Sequence, residues 1–388
     1  MGWGARQVLI GRDTRASGPA LEEALVRGLY QAGADAVSGG ILPTPAVALL
    51  SKEHEGAVIS ASHNPPEYNG VKFFVEGGRK LTDADEEAIE QLLDSPGNDG
   101  GQVYEGLEVD QQYVDVVCER FGTPLAGLRI AADCANGAMY QVAPAVLERL
   151  GGHVVTVGNE PDGTNINVGC GATGLSLLRD TVRGGDFDLG VAYDGDGDRM
   201  LAVDAEGNDV DGDQILAVVA LHLGVDLVAV TQMTNLGFHR LMEERGVRVV
   251  ETDVGDRYVA EALRREGGIL GGEQSGHLIY MRGHTSGDGL VGTLLLCQAM
   301  LESGWTLADL AAEMPKLPQA KTNVPVRSKE IPPSLRTRID ELAGAGRVVV
   351  RPSGTEPVVR VLAEAESEKK ALDLCARIAA LVSRELGS

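Results

Sequence analysis

A cluster of alternating carboxylates is the part of this sequence whose chemistry is easiest to define. Asp-Gly-Asp-Gly-Asp-Arg at residues 194–199 brings Asp194, Asp196 and Asp198 so close that they repel one another unless a cation lies among them. Hard oxygen ligands, without cysteine or histidine nearby, favour Mg²⁺ over zinc, and the glycines allow a tight loop. The apolar run at 189–192 predicts a buried strand, so we expect the carboxylates at the carboxyl end of that strand.

Two alternatives compete with a magnesium site. A calcium loop of the EF-hand type requires glycine at the sixth position and glutamate at the twelfth, where this loop has Arg199 and Ala205. An acidic surface turn is the second alternative, although three acids directly after an apolar strand are a costly way to build a turn. The sequence therefore favours a bound Mg²⁺.

A second polar cluster offers the groups that bind a phosphate dianion. Residues 351–357 read Arg-Pro-Ser-Gly-Thr-Glu-Pro, and a further arginine follows three residues later. Guanidiniums, hydroxyls and a glycine N–H form such a cradle, here Arg351, Ser353, Gly354, Thr355 and Arg360. The spacing of a Walker loop is absent, so nucleotide hydrolysis loses its main support. The alternative is a plain turn between strands predicted at 347–350 and 358–362.

The third candidate is Ser62, which follows a short apolar strand at 57–59. A serine on a tight loop after a strand is a possible nucleophile, but the Gly-x-Ser-x-Gly pattern is absent here. His63 is its immediate neighbour and is expected to point elsewhere, so a Ser-His-acid triad is poorly supported. Taken alone, Ser62 fits a turn or cap residue better than a nucleophile. The metal and phosphate clusters favour the nucleophile.

Four motifs, in this order, resemble those of the α-D-phosphohexomutases. They are Ala-Ser-His-Asn-Pro at 61–65, the metal loop at 194–199, Gly-Glu-Gln-Ser-Gly-His at 272–277 and the phosphate loop at 351–357. The resemblance runs from about Val8 to the C-terminus. Within this superfamily the chain is most similar to the bacterial phosphoglucosamine mutases, because Gln274 stands where phosphomannomutase/phosphoglucomutase relatives usually carry methionine.

The resemblance implies an isomerase that moves a phosphate between the 6- and 1-oxygens of a hexose. Ser62 would carry the phosphoryl group, with a 1,6-bisphosphate as the intermediate and a hexose 1,6-bisphosphate as activator. One Mg²⁺ per chain would be bound by a phosphate oxygen on Ser62 and by Asp194, Asp196 and Asp198. Catalytic roles are implied for Ser62, Lys72, Arg199 and His277. Binding of the sugar hydroxyls is implied for Glu273 and Ser275, and binding of the phosphate that is not reacting for Arg351, Ser353, Gly354, Thr355 and Arg360.

The start of the chain departs from the family pattern. The family normally opens with a strand and a loop containing Gly-Thr-Asp-Gly-Ile-Arg-Gly, whereas this sequence begins Met-Gly-Trp-Gly-Ala-Arg. We expect the difference to uncover a sheet edge in the first domain and to remove one cation near Ser62. Two alternatives to a phosphoglucosamine mutase therefore stay open: a phosphomannomutase or phosphoglucomutase, and a phosphosugar-binding protein without turnover.

Composition agrees with a cytoplasmic enzyme, and the resemblance implies a small phosphosugar as substrate and a monomeric or homodimeric state. The 388 residues lack a long apolar stretch, and the five cysteines form no Cys-x-x-Cys pair. A net charge of −23 argues against nucleic acid or an anionic membrane as partner. Since the substrate is also an anion, positive charge must be concentrated locally, and seven cations lie in or beside the motifs: Arg12, Arg15, Lys72, Arg199, Arg257, Arg351 and Arg360.

Strand and helix patterns alternate along the chain, which predicts an α/β protein. Three tandem α/β mixed-sheet domains are expected, with a smaller C-terminal α+β two-layer domain, and the resemblance implies that all four surround a central cleft. The predicted domains are 1–106 with Ser62, 107–208 with the metal loop, 209–317 with the sugar loop, and 318–388 with the phosphate loop. In the last domain we expect a strand at 323–326 and a final helix at 368–386.

Overall fold

The computed structural model describes residues 7–92, 100–106, 108–344, 346–353 and 356–387. The chain forms two compact units. The first unit combines Met1–Thr231 with Val247–Glu313, and the second combines Gln232–Gly246 with Met314–Ser388. The predictions for residues 1–6, Gly354 and Thr355 lie outside the described residues.

Strands and helices alternate as predicted, and the α/β fold class is confirmed. The strands, in chain order, are β1 (Gln7–Arg12), β2 (Asp35–Ile41), β3 (Glu55–Ile59), β4 (Val71–Val75), β5 (Arg79–Lys80), β6 (Val103–Glu105), β7 (Arg129–Asp133), β8 (His153–Val157), β9 (Leu189–Tyr193), β10 (Met200–Asp204), β11 (Asp209–Val210), β12 (Leu227–Thr231), β13 (Arg248–Thr252), β14 (Leu270–Gly272), β15 (Leu278–Tyr280), β16 (Gln319–Pro325), β17 (Arg347–Pro352) and β18 (Val358–Glu364). The helices are α1 (Gly18–Gln31), α2 (Thr44–Leu50), α3 (Asp83–Glu90), α4 (Val109–Phe121), α5 (Met139–Arg149), α6 (Ser176–Gly184), α7 (Gly212–Leu223), α8 (Leu236–Glu244), α9 (Asp256–Glu266), α10 (Gly289–Ser303), α11 (Leu307–Ala312), α12 (Pro333–Ala343) and α13 (Glu368–Leu386).

The described residues of the first unit form three mixed sheets. Their strand orders are β5-β4-β3-β1-β2-β6, β11-β10-β9-β7-β8 and β13-β12-β14-β15. In each sheet the central strands are parallel and a buried strand turns back through an antiparallel hairpin: β3 to β4, β9 to β10 and β14 to β15. The predicted domain boundaries stay a prediction, although β11 extends the second sheet to Val210, past residue 208.

The order of strands fixes where the polar motifs lie. Three loops carry them, and each loop directly follows the parallel strand that turns back in its sheet. Ser62 follows β3, Asp194 follows β9, and Glu273 follows β14. Strand β9 is buried along its whole length, which explains its uninterrupted apolar sequence. The carboxyl ends of strands are where open α/β sheets bind ligands, so the fold presents all three motifs at such ends.

The second unit is a two-layer structure. Strands β16, β18 and β17 form an antiparallel sheet in that order, and one of its faces packs against α12 and α13 around apolar residues such as Val361 and Ile378. The final helix has the predicted bounds. The strand expected at 323–326 instead spans Gln319–Pro325, because polar residues that alternate with the buried Ala320 and Val324 conceal its beginning.

Among the described residues, no helix combines the length and the apolar character that a bilayer crossing requires.

Candidate active site

The three carboxylates of the metal loop lie together in the interior of the first unit. Asp194 and Asp196 are fully buried and Asp198 is 2% exposed, and one ligand atom from each lies within 4.8 Å of the others. Gly197 has a φ of +74°, which glycine adopts without strain and which lets the loop turn between β9 and β10. The sequence prediction of a carboxylate cluster at a strand end therefore corresponds to one compact group.

The burial of three acids sets their electrostatics. Burial, and then the charges of Asp198 and Asp196, raise the pKa of Asp194 to about 7. Burial would also raise the pKa of Asp198, but the cations Lys72, His277 and Lys80 hold it well below its ordinary value. The group thus carries one carboxylate that resists ionisation and one that is strongly ionised, and a bound cation would relieve this repulsion.

Asp196 has the feature that fits a metal ion. Its Oδ2 atom is 2.6 Å from Lys72 Nζ, while its Oδ1 atom is buried and no donor in the described part of the chain reaches it. A buried carboxylate oxygen without a donor is costly. Hard oxygen ligands at this spacing suit Mg²⁺, so the residues present fit the predicted cation.

Ser62 lies beside these carboxylates. It has a φ of +51°, which is rare for a residue with a side chain, and its hydroxyl donates to Asp194 Oδ2 over 2.6 Å. A Cβ on Gly195 would lie 2.6 Å from Ser62 O, so the glycine permits the close approach of the two loops. The prediction that His63 points elsewhere is wrong, because its Nδ1 lies 3.3 Å from Ser62 Oγ. The backbone turn at Ser62 places the imidazole ring of His63 beside the Ser62 hydroxyl.

Arg15 corrects a second expectation. We expected it among the cations near the substrate, but its side chain is buried, and it is bonded to Asp13 through Nε at 2.8 Å. Its guanidinium donates to four carbonyl oxygens of the serine loop, those of Ser62, Asn64, Pro65 and Tyr68. Arg15 therefore satisfies the backbone that holds Ser62 and is a structural anchor of this loop.

Lys72 and His277 are both cations within the carboxylate group. Burial would lower the pKa of Lys72, but Asp196 and Asp198 outweigh it and raise this pKa. The ring of His277 bridges two acids, with Nδ1 2.7 Å from Glu273 Oε2 and Nε2 3.1 Å from Asp198 Oδ1. Burial lowers the pKa of His277, whereas Asp198 and the hydrogen bonds to Asp198 and Glu273 raise it to about 10. Both side chains are thus protonated at neutral pH.

The remaining predicted residues of the first unit lie at the edge of this group. The Arg199 N–H donates to Asp194 Oδ1 over 3.2 Å, and its Nε is 3.9 Å from Asp194 Oδ2. Glu273 Oε1 accepts from the Gly255 N–H over 3.0 Å. Ser275 is exposed on the same loop. The structure therefore brings Ser62, Lys72, Arg199, Glu273 and His277 around the carboxylates.

Two residues that we did not predict, Lys80 and Thr44, contact this group. Lys80 Nζ is 2.5 Å from Asp256 Oδ2 and 4.0 Å from Asp198 Oδ2. Lys80 pairs with Phe74 across the β4–β5 hairpin, and Phe74 is two residues beyond Lys72, so the two lysines share a face. The two glycines of the turn, Gly77 and Gly78, are the sequence signal from which this hairpin register could have been predicted. Thr44 also donates to Asp196, with no comparable signal in the sequence.

The phosphate-binding candidates lie in the second unit, on the hairpin of β17 and β18. Arg351 and Arg360 are paired across the two strands, and burial together with Arg360 lowers the pKa of Arg351. Arg360 also reaches Ser353 Oγ at 3.4 Å and Glu356 Oε2 at 3.2 Å. A cavity of about 180 Å³ adjoins both arginines and includes Lys321 in its wall. Of the predicted cradle, the described residues bring together Arg351, Ser353 and Arg360.

Family models match the chain in the order of the four sheets. They are the phosphoglucomutase/phosphomannomutase alpha/beta/alpha domains I, II and III at residues 3–99, 111–207 and 211–317, and the C-terminal domain at residues 312–381. The phosphoglucosamine mutase of Desulforudis audaxviator is 49% identical, over 94% of this chain and 86% of the relative. The chain belongs to the phosphoglucomutase/phosphomannomutase family. The resemblance to the α-D-phosphohexomutases is thereby confirmed.

Solved structures share the fold of this family member. An X-ray structure of a phosphoglucomutase/phosphomannomutase family protein from Burkholderia thailandensis has a TM-score of 0.84 at 23% identity and covers 98% of this chain and 90% of that chain. The N-acetylphosphoglucosamine mutase of Aspergillus fumigatus, in complex with GlcNAc-6P and magnesium, has a TM-score of 0.69 at 21% identity and covers 89% and 93%. At these identities the likeness establishes the common fold.

Proposed function

We propose that this family member is a phosphoglucosamine mutase, which interconverts glucosamine 6-phosphate and glucosamine 1-phosphate. The observation that carries the proposal is the position of Ser62, whose hydroxyl is 2.6 Å from Asp194 Oδ2 in a buried group of three carboxylates. A hydroxyl placed there can carry a phosphoryl group beside a bound cation. The choice of sugar rests on the phosphoglucosamine mutases that resemble this chain, such as that of Desulforudis audaxviator at 49% identity.

The reaction needs a covalent carrier because phosphate monoesters hydrolyse slowly and water would waste the substrate. In the first step the P–O bond of phosphorylated Ser62 breaks and a P–O bond to the free sugar hydroxyl forms, which yields the 1,6-bisphosphate. The proton of that hydroxyl passes to a base, and Ser62 Oγ leaves with a proton. After the sugar turns round, Ser62 Oγ gives up its proton as it bonds to the other phosphorus, and the sugar oxygen leaves with a proton. The first step removes the phosphoryl group from Ser62 and the second returns one, so the complete cycle leaves the enzyme phosphorylated.

Lys72 and His277 are the candidates for moving these protons. Each contacts Asp198, with Lys72 Nζ at 3.3 Å and His277 Nε2 at 3.1 Å. Because both are protonated at neutral pH, they suit the donation of a proton to the departing sugar oxygen. Arg199 would stabilise the negative charge on the transferring phosphate.

Asp194, Asp196, Asp198 and a phosphate oxygen on Ser62 would hold one Mg²⁺. The ion would neutralise charge on the phosphoryl group as it transfers. This assignment agrees with the unpartnered Oδ1 of Asp196 and with the magnesium complex of the Aspergillus fumigatus mutase. The activator would be a hexose 1,6-bisphosphate, which rephosphorylates Ser62 when the group is lost.

The remaining candidates would bind the substrate. Glu273 and Ser275 would hold sugar hydroxyls, and the phosphate that is not reacting would be bound by Arg351, Ser353, Gly354, Thr355 and Arg360. Lys321 adjoins the same cavity and adds a third cation to it. A cytoplasmic location and a monomeric or homodimeric state are further parts of this proposal, as is one Mg²⁺ per chain.

The test is ³¹P NMR of glucosamine 6-phosphate incubated with the full chain, Mg²⁺ and a trace of hexose 1,6-bisphosphate. We expect a 1-phosphate signal that grows faster than with glucose or mannose phosphates and that falls at least a thousandfold in Ser62→Ala, since this variant lacks the carrier oxygen. Intact mass should show one added phosphoryl group in the wild type only. An equal rate in Ser62→Ala would refute the mechanism, and a faster rate with another hexose would refute the assigned sugar.

A further inference from the structure

Thr44, outside the four motifs, lies against the metal loop. It is fully buried at the first position of α2, and it makes two contacts with one residue of that loop. Its hydroxyl donates to Asp196 Oδ2 over 2.5 Å, and its N–H donates to Asp196 O over 2.9 Å. Side chain and backbone of Asp196 are therefore both oriented by the same threonine.

The two oxygens of Asp196 differ sharply. Oδ2 accepts from Thr44 and from Lys72, whereas Oδ1 is buried without a donor from the described residues. Two donors occupy the lone pairs of Oδ2, and a carboxylate held in this way presents its other oxygen in a fixed direction. Both oxygens of Asp198, by comparison, are within 3.3 Å of a cation, His277 at Oδ1 and Lys72 at Oδ2.

Of the two donors to Oδ2, Thr44 is the one with little freedom. The Lys72 side chain is 27% exposed and has four rotatable bonds, whereas Thr44 has one short side chain on a buried helix. That helix lies very close to the first sheet: a Cβ on Gly11 or Gly56 would approach Val47 to 2.6 or 2.7 Å. The position of the Thr44 hydroxyl is thus fixed by the packing of α2.

We propose that Thr44 is a positioning residue for the divalent cation: its hydroxyl holds Asp196 Oδ2 so that Oδ1 is free to bind the ion. The inference rests on the proposed metal site but does not depend on the sugar or on turnover. Groups that orient metal ligands in this way typically change metal affinity by about 10- to 100-fold when they are removed. Thr44 would also couple the first sheet to the loop of the second.

The experiment measures metal affinity without substrate. Mn²⁺, which prefers the same oxygen ligands as Mg²⁺, is titrated into the dephosphorylated full chain and the free ion is followed by EPR. Thr44→Val keeps the shape but removes the hydroxyl, and we expect its Kd to rise at least tenfold. Thr44→Ser restores the donor and should bind within about threefold of the wild type.

Ser51→Ala is the matched control. Ser51 caps the other end of α2 and is fully buried, but no partner for its hydroxyl occurs in the described part of the chain. Wild-type affinity in Ser51→Ala, together with the loss in Thr44→Val and the rescue in Thr44→Ser, would support the inference.

Three results would overturn the inference: unchanged affinity in Thr44→Val, an equal loss in Ser51→Ala, or no rescue by serine. If the wild type itself fails to bind Mn²⁺, both the proposed metal site and this inference are refuted. If NMR shows no mutase activity while the pattern of affinities holds, only the proposed function fails.

Discussion

The carboxylate site in the first unit and the phosphate hairpin in the second handle charge in opposite ways. We define the carboxylate site as Ser62, Lys72, Asp194, Asp196, Asp198 and His277, and the phosphate hairpin as β17 and β18 with Arg351, Ser353 and Arg360. In the carboxylate site nearly every buried charge contacts one of opposite sign, such as Lys72 with Asp196 at 2.6 Å. In the phosphate hairpin Arg351 faces Arg360 across the strands.

This difference reflects what each region must do. Chemistry requires reacting groups held in place before substrate arrives, and interlocking buried ion pairs achieve that. A phosphate-binding surface instead gains affinity if the protein neutralises its cations only in part. Arg360 contacts Glu356 over 3.2 Å, and the ligand would supply the remaining negative charge beside Arg351. The folded chain therefore tolerates repulsion where a ligand would relieve it.

The largest expected effect comes from neutralising two acids of the carboxylate site separately. Asp194→Asn and Asp198→Asn should each reduce kcat by at least about a thousandfold, since each removes a proposed metal ligand. Their stabilities should differ in the metal-free protein. Asp198→Asn leaves Lys72 and His277 without a main counter-charge and should cost about 3 kcal/mol or more, whereas Asp194→Asn removes a disfavoured charge and should be neutral or stabilising. Urea unfolding of both variants in EDTA measures the difference.

The pH dependence provides the control for this pair. The pKa of Asp194 is raised from 3.8 to about 7, so the folded protein binds this proton more tightly than the unfolded chain. The tighter proton binding at Asp194 therefore contributes its full stabilisation below about pH 4, and this stabilisation is lost as the pH rises towards 7. Asp194→Asn should remove this slope, whereas Asp198→Asn should only reduce it, because burial still raises the pKa of Asp194. Equal stabilities, or a slope that survives in Asp194→Asn, would contradict the interpretation.

A second prediction compares two arginines of one strand. Arg347 and Arg351 lie four residues apart on the same face of β17, and their partners on β18 are Glu364 and Arg360. Arg347 is 3.0 Å from the fully buried Glu364 and also donates to two carbonyl oxygens. Arg347→Ala should therefore destabilise the protein by about 3 kcal/mol. Arg351→Ala relieves a like-charge pair and should leave stability unchanged.

Kinetics should reverse the order of these two variants. Arg351→Ala removes a charged donor to the phosphate that is not reacting, and we expect KM to rise about 10- to 100-fold. Arg347→Ala should have a KM within about threefold of the wild-type value when it is assayed below its lowered melting temperature. Thermal unfolding and initial rates should be measured on both variants. A large increase in KM in Arg347→Ala alone would mean that Arg347 binds the phosphate and Arg351 does not.

Spacing within a motif was enough to predict the metal loop and the serine loop, because each depends on a few consecutive residues after an apolar strand. Contacts between distant segments could not be predicted from such local spacing. Thr44 and Asp196 are 152 residues apart, and only the folded chain brings them together. Arg15 was predicted near the substrate by its charge, yet the serine loop has carbonyl oxygens that need a donor, and this requirement buries it.

The smallest expected effect concerns Gln274, the residue that favoured glucosamine at the level of sequence. Its amide donates to Asp213 Oδ2 over 3.1 Å, and its carbonyl oxygen accepts from the Gly212 N–H, so the sugar loop is attached to the start of α7. Gln274→Met removes the side-chain bond and should cost about 1 kcal/mol of stability.

Because the Gln274→Met substitution acts through the position of the loop, the ratio of kcat/KM for glucosamine and glucose 6-phosphates should change less than tenfold. Ser275→Ala, by comparison, should lower kcat/KM for both sugars alike. A larger switch of preference in Gln274→Met would mean that this side chain contacts the sugar directly, and that the rigid support seen in the carboxylate site does not extend to the sugar loop.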